Sequence, residues 1–158
     1  MTKSQELVIV SGASSGMRQS AAVELAARGF HVLAGVRTEE DATRVRRENI
    51  EPVILDITKQ TDIDALGKRV DGDAAGRALR AVVNCAGMGL NGPVEMLPLA
   101  SWRQMLEVNL LGHIAITQTL LPALRRSRGR LLTSARPAAA SQCRHSVPTV
   151  QRSSHSKR

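Results

Sequence analysis

The chain has 158 residues, 42% of them hydrophobic, with one Trp, one Phe and no Tyr, so its length suits one modest domain and excludes a large multidomain enzyme. The formal charge of +8 is uneven: residues 1–124 hold 13 Lys/Arg against 14 Asp/Glu, whereas residues 125–158 hold nine Lys/Arg and no acid. That split argues against a uniformly basic nucleic-acid or membrane-surface protein, and the missing Tyr excludes any mechanism with a tyrosine acid or base.

Leu7-Val8-Ile9-Val10 is a short apolar run closed by Ser11-Gly12, the pattern of a strand buried on both faces of a parallel sheet. Ala21, Ala22, Leu25 and Ala26 then recur at helical spacing, with Gly29 where a helix stops. His31 to Val36 reads as a second strand and Glu39 to Arg47 as a charged helix. A third strand is expected over Pro52 to Asp56, and Ile63, Leu66 and Val70 share one helical face after it. Ala81 to Asn84 supplies a fourth strand. Past the Gly-rich loop from Ala86 to Gly92, Leu99 to Leu124 carries two helices' worth of apolar spacing, and Leu131-Leu132 begin a fifth strand.

Strands alternating with helices imply right-handed crossovers and an α/β fold, a doubly wound parallel sheet of Rossmann-like type. In such sheets ligands bind beyond the carboxyl ends of the strands, so the informative residues are Ser11 to Arg18, Arg37, Asp56 and Asn84 to Gly87. Two domain-level segments are expected: a dinucleotide-binding unit over 1–134 and a tail over 135–158. The tail has five Lys/Arg, no acid and only Val147 and Val150 as larger apolar residues, too little to offset the entropy of ordering, and it reads as disordered. With no aromatic residue to stack on bases, it is not expected to bind nucleic acid specifically. Cys85 and Cys143 are too few for a disulfide framework, no metal-ligand spacing is present, and no apolar run reaches membrane-spanning length; a cytoplasmic setting is expected.

Ser11-Gly12-Ala13-Ser14-Ser15-Gly16-Met17-Arg18 stands between a strand and a helix, where glycines let a helix N-terminus approach a pyrophosphate. Together with Arg37, Asp56-Ile57-Thr58, Asn84-Cys85-Ala86-Gly87 and Asn109, in that order and in those structural places, it resembles the short-chain dehydrogenase/reductase family from about residue 6 to Leu132. The resemblance implies an NAD(P)-dependent oxidoreductase acting on a small-molecule alcohol or carbonyl, possible also as a homo- or hetero-oligomer. It assigns Gly12, Ser14, Ser15 and Gly16 to the cofactor turn, Asp56 to the adenine, and Asn84, Ala86 and Gly87 to the nicotinamide-ribose side. Arg37 favours NADP over NAD, because an arginine there meets a 2′-phosphate where an acid would meet the 2′-hydroxyl. Asn109 is the remnant of the catalytic set, helping to hold a proton-relay water.

The departures from the family pattern are equally specific. Arg18 replaces the third glycine, at a place of close helix-to-strand contact, and is expected to impair cofactor binding. The family's Tyr and Lys, in a YxxxK arrangement, are absent; Ser134 stands near the family's serine but reads as a loop residue without its partners, so this chain is expected to be inactive. The sequence reads as a family member cut short before that segment. Its tail is consistent with a shifted reading frame, since Arg144 to Arg158 can be back-translated so that the shifted frame reads ALGAYSATKFALEA, with a Tyr near Thr149. Sequencing the DNA across codons 130–150 decides this: an intact frame encoding the same tail in close relatives rules it out. Without the later strands, the edge at Leu131 and the region of Leu110, Leu111, Ile114, Ile116, Leu120 and Leu121 are expected to lose packing partners. The alternative function is a non-catalytic NADP-binding or dimer-partner protein.

Overall fold

A computed structural model describes residues 5–90 and 92–134. The tail and its expected disorder lie outside the described residues. Five parallel strands, β1 (Leu7–Val10), β2 (His31–Val36), β3 (Ile50–Ile54), β4 (Leu79–Asn84) and β5 (Arg130–Thr133), form one sheet in the order β3-β2-β1-β4-β5. The order reverses direction between β1 and β4, which opens a crevice at the carboxyl ends of those two strands.

The two-residue period of β1 explains why its sequence is apolar throughout. Leu7 and Ile9 face a core completed by α3 (Gln60–Asp71) and by α5 (Gly112–Ser127), through Ile63, Leu66, Ile116 and Leu120. Val8 and Val10 face the opposite layer, where Ala22 and Ala26 of α1 (Gly16–Ala27) and Ala42 and Val45 of α2 (Glu39–Val45) pack. Both faces are thus covered, as a parallel sheet requires.

Local chemistry sets the helix ends. Gly29, at φ +88°, takes the left-handed position after α1 and donates its N–H to the Ala26 carbonyl at 3.0 Å. The Thr38 hydroxyl caps α2 by accepting from the Asp41 N–H at 3.1 Å, and Glu39, Glu40 and Asp41 complement the positive end of the helix dipole.

Several bounds differ from the sequence expectation; β4, for one, begins at Leu79 rather than Ala81. β3 spans 50–54 rather than 52–56: Asn49, at φ 60°, turns the chain into the strand, and the edge position of β3 tolerates Pro52 opposite Ala34. Leu55 has left the strand and is buried in the core. The stretch after residue 98 holds the two expected helices, joined without a loop. α4 (Leu99–Leu106) passes through a π-helical segment, Glu107–Leu111, into α5 with helical backbone angles at both junctions.

The region named for missing packing partners is unevenly exposed. Leu110, Leu111, Ile114, Leu131 and Leu132 are each 44–50% exposed, and among the described residues β5 pairs with β4 alone. Ile116 and Leu120, in contrast, are buried against the sheet, because α5 turns that face inward onto α3 and β4; Leu121 is half-buried. Among the described residues, no helix is long and apolar enough to cross a membrane, and no group of His, Cys, Asp and Glu is arranged to hold a metal.

Candidate dinucleotide crevice

The carboxyl ends of β1 and β4 are tied together by Ser11. Its buried hydroxyl accepts from the backbone N–H groups of Cys85 at 3.0 Å and Ala86 at 3.1 Å, and faces the Val83 carbonyl at 3.5 Å. Gly12 follows at φ +69°, and a Cβ there would stand 2.9 Å from the Ala86 Cα, so only glycine permits this approach of the two loops. Gly16, at φ +60°, opens α1 onto empty space. The extended Ser15 makes no side-chain cap and the first turn of α1 contains no acid, so its N–H groups have no carboxylate or hydroxyl of their own to meet. Ser14 is half-buried and Ser15 exposed beside them. These features fit a dinucleotide phosphate.

The adenosine side is formed by the ends of β2 and β3. Asp56 Oδ1 accepts from the Thr58 N–H at 3.0 Å and the Thr58 hydroxyl at 2.7 Å. Those bonds, against some burial and with help from Lys59 and Arg37, hold the Asp56 carboxyl below its ordinary range, so it is charged at neutral pH. Arg37 is exposed and enters no ion pair among the described residues. Its guanidinium therefore remains available for an external anion.

On the β4 side, Asn84 is buried and its Nδ2 donates to the Thr117 hydroxyl at 3.3 Å, while Oδ1 is buried without a partner among the described residues. The Ala86 carbonyl lies 2.8 Å from His113 Nε2, which must donate to it; Nδ1 is then a bare acceptor, also buried and unpartnered. Gly87 packs against Asn109, whose Oδ1 would lie 3.3 Å from a Cβ on that glycine. The Asn109 amide is clamped to Met88, accepting from its N–H at 2.9 Å and donating to its carbonyl at 2.8 Å. Asn109 lies in the π-helical segment Glu107–Leu111. Ser134, directly after β5, donates its N–H to the Asn84 carbonyl at 2.9 Å. Burial pushes the neighbouring Cys85 thiol up, opposed by its hydrogen bond with Ser134 and by the charge of Arg18.

The crevice thus gathers Gly12, Ser14, Ser15, Gly16, Asn84, Ala86, Gly87 and Asn109 on the β1 and β4 side, with Arg37 and Asp56 at the β2 and β3 ends. Sequence reasoning did not single out Ser11, His113 or Thr117 as organisers of the site. Only the position of Ser11 immediately after a strand gave a signal; the other two act through contacts across tens of residues. A separate cleft of about 300 Å³, lined by Val70, Asp73, Arg77, Leu79 and Arg126 among others, lies at the amino end of β4, away from the crevice. Its arginines are already paired, Arg77 with Asp73 and Arg126 with Asp71, each at 2.7 Å.

Comparison with known proteins points the same way. The family described as short chain dehydrogenase matches residues 6–145. Human retinol dehydrogenase 16 is 38% identical over 129 residues, covering 79% of this chain and 41% of its own length. The 17-beta-hydroxysteroid dehydrogenase type 6 of Bos taurus is 35% identical over 131 residues, covering 80% of this chain and 41% of its own. A crystal structure of a short-chain dehydrogenase from Streptomyces avermitilis superposes with a TM-score of 0.74 at 27% identity, covering 84% of this chain and 50% of that one. The chain therefore spans about two fifths of the length of these curated relatives.

Proposed function

The chain belongs to the short-chain dehydrogenase family, and from that premise we propose that its 158 residues form an NADP-binding unit of an oxidoreductase that lacks the groups for proton transfer. Members of the family bind nicotinamide cofactors, NAD or NADP, and act on small molecules. In this reading Gly12, Ser14, Ser15 and Gly16 receive the pyrophosphate at the α1 N-terminus, Asp56 orients the adenine, and Arg37 meets the 2′-phosphate that distinguishes NADP from NAD. Asn84, Ala86 and Gly87 border the nicotinamide ribose, and His113 fixes the direction of the Ala86 carbonyl.

The cofactor supplies the hydride chemistry; the protein has to supply an acid or base at the reacting oxygen. The observation that carries the inactive reading is the absence of Tyr from the sequence. Ser134 follows β5 and Asn109 lies in the π-helical segment, and the sequence offers no phenol to work with them in moving the proton. Loss of general acid–base catalysis alone costs roughly a hundred- to ten-thousandfold in rate. In this reading the substrate is an apolar alcohol or carbonyl: two relatives are named for retinol and a 17-beta-hydroxysteroid, and Val94, Met96 and Leu99, in the segment that follows the β4 loop, are exposed apolar residues.

Titrating the purified chain with NADPH while watching nicotinamide fluorescence tests the binding half. Saturable binding is expected, tighter for NADPH than for NADH; no change up to millimolar cofactor rejects it. A second reading, a non-catalytic subunit paired with a complete family member, is favoured by the exposed apolar set of Leu110, Leu111, Ile114, Leu131 and Leu132.

A further inference from the structure

The side chain that replaces the expected third glycine does not point away from the crevice. Arg18 leaves the first turn of α1 and lies across the crevice, its Nη1 donating to the Cys85 carbonyl at 3.3 Å. The same nitrogen is 3.1 Å from the point where a Cβ on Gly12 would stand, on the glycine whose bare backbone lets the β1 and β4 loops approach. The side chain is partly buried, so the contact is not a surface arginine meeting a carbonyl by chance of rotamer. The space that the missing Gly12 side chain leaves is filled, within the chain itself, by a cation.

We propose that Arg18 is a displaceable latch over the dinucleotide turn, held by the Cys85 carbonyl, and that cofactor enters only when this contact opens. The inference rests on the NADP-binding reading and deepens it. In the proposed reading a dinucleotide brings its pyrophosphate to the α1 N-terminus and its nicotinamide ribose to Ala86, and Arg18 Nη1 reaches from that same first turn to the carbonyl of Cys85, the residue before Ala86. Two consequences separate the latch from other roles. The obstruction lies in the guanidinium and not in the Arg18 Cβ, so truncation to alanine is enough to relieve it. The adenosine-side contacts of Arg37 and Asp56 are untouched, so the preference for NADPH over NADH does not change when the latch is removed.

The experiment compares the full chain with Arg18→Ala and Arg18→Gly by NADPH and NADH fluorescence titration, each variant first shown to be folded by its urea transition. Alanine is the best helix former and glycine a poor one, so Arg18→Ala keeps the test valid if Arg18→Gly weakens α1. The latch predicts that NADPH binds at least tenfold tighter to Arg18→Ala, with an unchanged NADPH to NADH ratio. Equal or weaker binding by Arg18→Ala, with measurable binding by the unaltered chain, overturns the latch and leaves the NADP-binding reading standing. Tightening by Arg18→Gly alone also overturns it, because the Cβ and not the guanidinium would then be the obstacle. If no form binds, the latch and the NADP-binding reading both fall.

Discussion

Arg37 is the residue on which the cofactor reading turns. It is exposed, unpaired among the described residues, and close enough to Asp56 to help keep that carboxyl charged. Replacing it by glutamate, Arg37→Glu, removes the charge-assisted bonds to a 2′-phosphate and sets an acid near the position of a 2′-hydroxyl. Affinity for NADPH should fall about 10- to 100-fold, the worth of one charged hydrogen-bonded pair, while affinity for NADH holds or rises. Parallel titrations check this; equal losses for both cofactors would show that Arg37 does not read the phosphate. Residues of this kind were legible in the sequence because they sit just past strand ends, where a doubly wound sheet puts its chemistry. The position of Ser11 was legible in the same way but its role was not, since the groups it binds lie up to 75 positions away, and no local pattern marks His113 or Thr117, whose partners Ala86 and Asn84 are 27 and 33 positions away.

Between elements, two interactions define how the layers hold together. Ile116 of α5 is fully buried between the sheet and α3. Ile116→Ala should cost about 2–5 kcal/mol in a urea unfolding experiment, the range for a large aliphatic side chain removed from a core. A cost under about 1 kcal/mol would mean that α5 is not seated as described. Far from the crevice, Glu51 of β3 accepts bidentate bonds from Arg69 of α3 at 2.7 and 2.8 Å, with His31 of β2 at 3.0 Å. Arg69 continues to Asp73, which Arg77 also holds.

The Arg69 bonds, against partial burial and with help from His31, bring the Glu51 carboxyl down from 4.5 to about 2, and Arg77 lowers Asp73 even further. Carboxyls with a folded pKa below the unfolded one stabilise the protein above the unfolded value, and lose that contribution as pH falls through the folded value. Stability should therefore decline as pH drops from about 4.5 towards 2, and Glu51→Gln should flatten that decline. Urea midpoints across this range check it; identical slopes would contradict the link. The element order was readable from periodicity alone, with β1 and β2 placed to the residue. The start of β3 was not, because a left-handed Asn49 and an edge-tolerated Pro52 decide it and neither is visible as a pattern.

For the whole molecule, the charge split read from composition acquires a structural side. The near-neutral part builds β1 to β4 and most of the helices, and the basic part begins in the last turn of α5, at Arg125 and Arg126, and includes β5. In the same region Leu131 and Leu132 are exposed on a β5 strand that, among the described residues, is paired on one side. Composition could report that a tyrosine was missing, but not that Ser11 and His113 would tie down the loop after β4. The proposed reading separates cofactor binding from turnover. The most direct test follows the nicotinamide absorbance of NADPH bound to the purified chain in the presence of a saturating apolar carbonyl compound. Bound cofactor whose absorbance persists is the predicted result. Steady loss of that absorbance, dependent on the protein and the carbonyl, would contradict it.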